Sequence, residues 1–355
     1  MEAVDAVFDA FSGSRWPIGL LVYLIIGWVL IRPTGGIGTR LISILGWPIE
    51  AAQRAAGATS LPYLFILPNF LVFGLYTFAP MFMNVGFSVT EGESILFTER
   101  PYAADDNFQR LLNETNIDTG RENREDDKFI RALVDTLIFV VFQVPIMILI
   151  ALATALALNR DIWGRGFWRS VFFYPVMLSP VVVAFLWSLI LKRQGLLSLT
   201  LMRWGVIEEP IQWLQDPGWT MMWSIFVYTW AHLGFYMLIL LAGLQAIPRD
   251  LYEAAEMDGT RPWRQLTRIT LPLLGPTLLV VTVLSLIKAF QAFEELYALN
   301  VRWISVVAYI FETSGLRGNP TAHGLGIAAV ASLLVAVGLM LLSLLQIRLS
   351  GRSSR

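Results

Sequence analysis

The chain has 355 residues, of which 56% are hydrophobic and only 15% are charged, and its net charge is −1. A soluble domain carries about 25% charged residues, so the composition excludes a soluble globular protein as well as a disordered one and indicates an integral membrane protein. The near-zero net charge gives no basic field for nucleic acid. The absence of cysteine and the presence of only two histidines exclude disulfides, thiolate chemistry and a histidine-rich metal centre.

Seven stretches are long and apolar enough, or nearly so, to cross a bilayer as helices, since a spanning helix needs about 20 mostly apolar residues. They cover residues 17–32, 61–89, 131–158, 167–191, 219–247, 273–293 and 322–347. These runs are too long for strands and do not alternate with a period of two, so an outer-membrane barrel is not expected. The sequence therefore predicts an all-α integral membrane protein.

The N-terminal part, residues 1–60, is predicted to be an addition to a larger membrane domain at 61–350. Its apolar stretch 17–32 follows acidic residues rather than a basic region, which favours an uncleaved anchor; a signal peptide is the alternative. Residues 37–58 carry apolar side chains at helical spacing. This pattern predicts an amphipathic helix on the cytoplasmic membrane surface or, equally, an ordinary linker helix.

Arginines in the loops set the predicted orientation, because cytoplasmic loops are enriched in basic residues. Residues 159–169 contain three arginines and the tail from 348 contains three more, so we place both in the cytoplasm. The C-terminus is then inside and the N-terminus outside. The acidic loop 91–130 faces the exterior, as does segment 192–218, whose tryptophans are typical of a short interfacial helix.

Motifs for catalysis on this chain are missing. None of the three lysines follows a glycine, so there is no phosphate-binding P-loop, and neither a Gly-x-Ser-x-Gly nor a His-Glu-x-x-His motif occurs. Glu294 and Glu295 lie at the outer end of the sixth span, where we expect a solvated helix end. The sequence therefore predicts that the chain is not an enzyme and holds no metal, which leaves transport or signalling.

The loop at 248–272 is predicted to form two short helices joined at a glycine. Pro248 fits the first turn of a helix, and acidic residues follow it near the positive helix end. Gly259 supplies a left-handed C-cap, Pro262 starts the second helix, and Pro272 ends it and opens the next span. The small, apolar face of the first helix suits docking into a groove on a partner.

This loop resembles the corresponding loop of binding-protein-dependent ABC importer permeases. It carries Glu253-Ala254-Ala255, Gly259 after three further residues, Ile269 after nine more, and Leu271-Pro272 after one. Other stretches are similar to sugar-type permeases of the maltose-transporter class, namely residues 241–248, 172–175, 178–183, 213–217 and 287–297. The resemblance covers about residues 61–350.

The resemblance implies a six-helix ABC importer permease core, here with one extra N-terminal transmembrane helix, in the inner membrane of a prokaryote. It implies a second homologous permease, a dimer of ATPase subunits that binds ATP and magnesium, and an external substrate-binding protein as partners. This chain itself would bind no cofactor. In such importers the loop is a coupling helix seated in the ATPase, and the residues carried over are Glu253, Ala254, Ala255, Asp258, Gly259, Arg261, Leu271 and Pro272.

The family places its substrate site on the fifth and sixth spans, which here combine aromatic and polar groups suited to sugar faces and hydroxyls. The candidate path residues are His232, Phe235, Tyr236, Lys288, Phe290, Gln291 and Phe293. The aromatics among them are also compatible with a lipid-facing or core position. Lys288 either contacts a polar or anionic solute, pairs with an acid such as Asp135, or snorkels to the interface.

The predicted function is therefore the permease subunit of an ATP-driven importer for a mono-, di- or oligosaccharide. A permease for a polyol or a glycerol phosphate is the alternative, and a secondary transporter or membrane scaffold is the alternative of another class. One departure concerns docking of the binding protein. After Tyr297 many sugar permeases carry a Gly-Gly-Pro turn, which is missing from the shorter loop of this chain.

Overall fold

The computed structural model of the protein describes residues 61–92, 94, 96–113, 128–315 and 324–353. Within these ranges the regular elements are helices, and a single isolated bridge joins Thr90 to Tyr102. The predicted anchor at 17–32 and the predicted amphipathic helix at 37–58 lie outside the described residues. The chain divides into two units, residues 1–82 and 83–355, and the packing reported below is that of the second unit.

Fourteen α-helices are present in the described part of the chain. They are α1 (Leu61–Phe73), α2 (Ala79–Ser88), α3 (Ala104–Asn113), α4 (Lys128–Asn159), α5 (Arg165–Phe173), α6 (Pro180–Leu191), α7 (Leu196–Arg203), α8 (Pro217–Gln245), α9 (Asp250–Met257), α10 (Pro262–Gln265), α11 (Leu271–Phe290), α12 (Glu294–Leu299), α13 (Val306–Thr313) and α14 (Gly324–Ser353). Two π turns, Gly74–Phe78 and Leu266–Thr270, continue the helices on either side of them.

Six helical stretches of the described chain are long and apolar enough to cross a membrane. They are Ile66–Ser88, Lys128–Asn159, Pro180–Arg203, Pro217–Gln245, Pro262–Phe290 and Gly324–Gln346. The all-α membrane fold predicted from the sequence is thereby confirmed for these residues. The short helix α7 agrees with the helix predicted within 192–218.

The fourth predicted span, 167–191, is wrong as a single helix. α5 ends at Phe173, a 3₁₀ turn follows, and α6 begins only at Pro180. The proline disfavours a helical backbone at Ser179, which is extended and whose hydroxyl accepts a hydrogen bond from the Val182 amide at 3.4 Å. A hydropathy count registers only the apolar run and cannot detect this capped break.

The segment 248–272 forms two helices joined at Gly259, as predicted, and Gly259 has a φ of +66°. This left-handed conformation is one that residues with a Cβ rarely adopt. Pro248 was expected in the first turn, but α9 begins at Asp250 with Arg249 as its N-cap, so the proline precedes the helix.

The prediction that Pro272 ends the second helix is also wrong, because α10 continues through a π turn into α11. In a regular α-helix the ring of Pro272 would clash with the carbonyl of Arg268, and its missing N–H would leave that carbonyl without a partner. In the wider π turn the Leu271 amide instead donates to the carbonyl of Leu266. The result is one uninterrupted helical stretch, Pro262–Phe290.

The core of residues 83–355 lies where α4, α8 and α11 meet, and α8 is the most buried of the six stretches. Between them Met147, Leu240 and Leu274 are each at most 1% exposed. The small residues Ala151 and Ala155 on α4 are fully buried, and such residues let membrane helices approach closely. α8 is therefore the scaffold against which the functional elements are positioned.

Candidate functional site

The candidate substrate path is marked by a break between α11 and α12. α11 ends at Phe290 and α12 begins at Glu294, and between them Phe293 has φ −141° and ψ −60°, outside the helical and strand regions. Phe290 and Ala292 nevertheless lie in a buried cluster with Tyr228 of α8. Residues 291–293 therefore leave the regular helix while the segment stays packed against α8.

Glu295 is buried, with 7% of its surface exposed, which corrects the expectation of a solvated helix end there. Its Oε1 lies 3.4 Å from Nε2 of His232 on α8. His232 Nδ1 lies 3.0 Å from the carbonyl oxygen of Tyr228, which can only accept, so Nδ1 carries a proton. The carboxyl group of Glu295 therefore faces the remaining ring nitrogen of His232.

Tyr228 connects α8 to the same break through a second contact. Its hydroxyl donates to the carbonyl of Lys288 at 2.8 Å, and its ring stacks on His232 with a centroid distance of 4.3 Å. One turn of α8 earlier, the Ser224 hydroxyl accepts a hydrogen bond from the indole of Trp303 at 2.9 Å. These contacts hold the residues before and after the break against α8.

The structure divides the predicted path residues by exposure. Phe235, Lys288 and Gln291 are exposed, His232 and Phe293 are partly buried, and Tyr236 and Phe290 are packed in the core. Within the described chain no ion pair joins Lys288 to Asp135, so the pairing considered for this lysine is not formed. Glu295 was not among the path residues predicted from the sequence. A signal for it existed, because a histidine within a span needs a polar partner and Glu295 follows the end of the next span.

The predicted coupling residues lie on α9, in the turn that follows it and, for Leu271 and Pro272, at the start of α11. Glu253, Ala254, Asp258, Gly259, Arg261 and Pro272 are exposed, Leu271 is partly buried and Ala255 is buried. Met257 and Trp263 are 89% and 72% exposed, and apolar side chains displayed in this way are typical of a protein interface. A shallow cavity of about 330 Å³ is lined by Ala254, Asp258, Arg264 and neighbouring residues.

α9 is fixed to the long helix Pro262–Phe290 by hydrogen bonds. The hydroxyls of Tyr252 on α9 and Thr270 in the π turn lie 3.0 Å apart, and the amide of Thr260 donates to the carbonyl of Ala255 at 2.9 Å. The side chain of Gln265 donates to the carbonyl of Thr260 at 3.3 Å. These contacts join α9 to the first turns of the helix that ends at the break.

The segment after Tyr297, where the family turn is missing, is also structured. Asn300 adopts φ +56° and ends α12, which is a conformation that asparagine tolerates better than most residues. Gln215 donates from its side chain to the carbonyl of Asn300 at 2.7 Å, and Arg302 donates to the carbonyl of Gln215 at 3.2 Å. A cavity of about 450 Å³ lies between α12 and α13.

Arg100 organises the described part of the predicted external loop, another feature that the sequence did not reveal. It is 6% exposed and donates to the Thr90 hydroxyl and to the carbonyls of Thr90, Gly92 and Ser94. Its guanidinium lies 5.0 Å from the centroid of the Phe87 ring. Burial lowers the pKa of Arg100, and the nearby Glu91 carboxylate opposes that shift.

Comparison with known proteins defines the class. Residues 124–355 match the family described as the binding-protein-dependent transport system inner membrane component. The chain therefore belongs to this family of ABC transporter permeases, as its loop predicted. It is a multi-pass inner membrane subunit and not an enzyme, since ATP hydrolysis belongs to a separate subunit of such transporters.

Similar proteins transport different solutes. The chain is 34% identical to the lactose transport system permease LacF of Rhizobium radiobacter, over 66% of this chain and 74% of that protein. It is 30% identical to the sn-glycerol-3-phosphate permease UgpA of Agrobacterium fabrum, over 65% and 73% respectively. The fold is shared with a chain of the bacterial alginate ABC transporter, which was crystallised with an alginate-bound periplasmic protein. The TM-score is 0.66 at 24% sequence identity, and the match covers 84% of this chain and 97% of that chain.

Proposed function

We propose that the chain is the permease subunit of an ATP-driven importer and forms part of the path for a carbohydrate delivered by an external binding protein. The observation that carries the proposal is the single helical stretch Pro262–Phe290, which has the exposed coupling segment at one end and the break at the other. At 29 residues it is about 43 Å long, enough to connect the two sides of a bilayer.

In this mechanism ATP binding closes a partner ATPase dimer, whose cleft holds α9. The Tyr252–Thr270 contact passes the movement to the base of the long helix. At the far end, Tyr228 and His232 on α8 are the fixed contacts against which the break opens or closes. A second homologous permease supplies the other half of the path, and the spans alternate between inward-facing and outward-facing states with the C-terminus in the cytoplasm and the N-terminus outside.

A carbohydrate suits the side chains exposed on α8 and at the break. Phe235 offers an exposed ring, and Gln291 offers an exposed amide for hydroxyl groups. The lactose permease among the relatives supports this solute class. A glycerol phosphate is the second candidate, because Lys288 is exposed near the break without an ion pair to Asp135 and because one relative is a glycerol-3-phosphate permease.

The two solute classes are separated by replacing Lys288 with methionine, which retains length and removes the charge. The full importer is reconstituted in proteoliposomes, and uptake of radiolabelled lactose and of sn-glycerol-3-phosphate is measured with ATP. For a saccharide importer, we expect K288M to change lactose uptake by less than about threefold. A loss of roughly tenfold or more in glycerol phosphate uptake, with no lactose uptake by the unmodified importer, would instead establish the second candidate.

A further inference from the structure

We propose that the end of α4 and the start of α5 form a binding site for the phosphate group of an anionic phospholipid. The site is built from Arg165 and Arg169 on α5 and from Gln245, the last residue of α8. With the Gln245 amide turned so that its oxygen faces the arginines, this oxygen lies 2.9 Å from Nη2 of Arg169 and 3.0 Å from Nη2 of Arg165. One neutral oxygen thus brings two guanidinium groups together.

The positive charge of this pair is balanced only in part within the described residues. Arg165 lies 3.6 Å from Asp161, whose side chain is 98% exposed, and no ion pair to Arg169 is present in the described ranges. The Nε atoms of both arginines are buried and lack a hydrogen-bond partner there. The Arg165 side chain is nevertheless 28% exposed, and guanidinium groups bind phosphate oxygens through paired N–H donors, so a phosphate at the exposed part of the pair would offset its charge.

The position along the membrane identifies the source of the phosphate. α4 has 32 residues and is about 48 Å long, whereas the hydrocarbon core is about 30 Å thick, and the polar residues Asn159, Arg160 and Asp161 place its C-terminal end among headgroups. Beside the arginines, Trp163 and Phe167 are 96% and 66% exposed, and aromatic residues are enriched at this level of a bilayer. The positive charge selects a lipid with net negative charge over a zwitterionic one.

The site is on the side of the membrane at which α8 leads into α9, because Gln245 is followed directly by that segment. Part of the positive charge also complements the carbonyl groups at the C-terminal end of α8. If the two arginines only stabilised the end of α8, their function would not depend on which lipid is present. The lipid dependence is therefore the property that distinguishes the two roles.

The test measures lipid binding to the purified importer by native mass spectrometry, with phosphatidylglycerol, phosphatidylcholine, or phosphatidylglycerol plus inorganic phosphate. We expect phosphatidylglycerol to bind in preference, and the R165Q/R169Q variant to bind it roughly 30-fold more weakly, as estimated for two charges at a lipid surface. The matched control is K192Q/R193Q, which removes two exposed charges after α6 and is expected to change binding less than about threefold.

Equal binding of phosphatidylglycerol to R165Q/R169Q and to the control would overturn the proposal, as would equal binding of the two lipids to the unmodified importer. Competition by inorganic phosphate as effective as that by the lipid would assign the site to a free anion and also overturn it. If the double glutamine variant does not assemble, R165K/R169K retains the charge but loses the paired donors, and its expected loss of preference is several-fold. If that variant loses the ATPase subunits while its lipid binding is unchanged, the surface is a protein contact and the proposal is overturned.

Discussion

At the scale of single residues, the contact of His232 with Glu295 is the most informative feature of the site. Because Nδ1 of the imidazole contacts the Tyr228 carbonyl, the Glu295 carboxyl faces Nε2, the remaining ring nitrogen. The pair joins α8 to the segment just beyond the break. Its partners differ by 63 positions in the sequence, so the contact depends on the packing of two helices rather than on any local pattern.

Replacing Glu295 by alanine or by glutamine tests this contact. E295A leaves Nε2 without a partner, and we expect a loss of about 1–3 kcal/mol in stability and a roughly tenfold fall in uptake. E295Q should retain most of both, because its amide N–H can donate to Nε2 of a neutral imidazole. Thermal unfolding of the purified importer and uptake by proteoliposomes are the measurements.

Glu294 provides the control, because it is exposed one position earlier on α12. E294A should differ little from the unmodified protein. An E295A variant as stable and as active as E294A would show that the His232 contact contributes nothing.

At the scale of elements, the position of α8 depends on Gly234. A Cβ at this residue would lie 2.5 Å from the carbonyl oxygen of Phe172 and 2.6 Å from Cα of Phe173, and backbone atoms cannot move aside cheaply. We therefore expect G234A to lower the free energy of unfolding by about 1–3 kcal/mol and to lower the Tm. G275A is the control, since nothing lies within 4 Å of its added Cβ and alanine favours a helix. Equal Tm values for the two variants would contradict the close approach.

The turn between α9 and α10 depends on Gly259 for a different reason. Open space surrounds its added Cβ, but its φ of +66° makes any side chain strained, by about 1–2 kcal/mol. We expect G259D, which adds a charge to this strain, to reduce retention of the ATPase subunits in a co-purification assay. G259N should retain more, because asparagine tolerates the left-handed conformation. Unchanged retention in G259D would exclude this turn from the ATPase interface.

The elements also show what a sequence can and cannot predict. The cap at Gly259 and the start of α10 at Pro262 follow from local chemistry and are confirmed. The break at Ser179 also has a local cause, but the surrounding hydropathy conceals it. The π turn before Pro272 and the burial of Glu295 do not follow from a local pattern. The first depends on how the helix accommodates a proline, and the second depends on how two helices pack around a carboxyl group.

At the scale of the whole molecule, the six-helix permease core was predictable because apolar length and one loop motif are sufficient to indicate it. Family membership confirms that core over residues 124–355. The solute was not predictable to the same degree, because the candidate path combines residues that suit a sugar with a lysine that suits an anion. Its identity depends on a few exposed side chains.

The central claim is that ATP hydrolysis by a partner drives solute through this chain by way of α9. The most direct measurement compares uptake by proteoliposomes of the full importer, loaded with ATP or with ADP, in the unmodified form and as G259D. We predict that the transported solute accumulates only with ATP and the binding protein, and that G259D reduces both accumulation and binding-protein-stimulated ATP hydrolysis. Accumulation that proceeds with ADP and follows an imposed ion gradient would contradict the account.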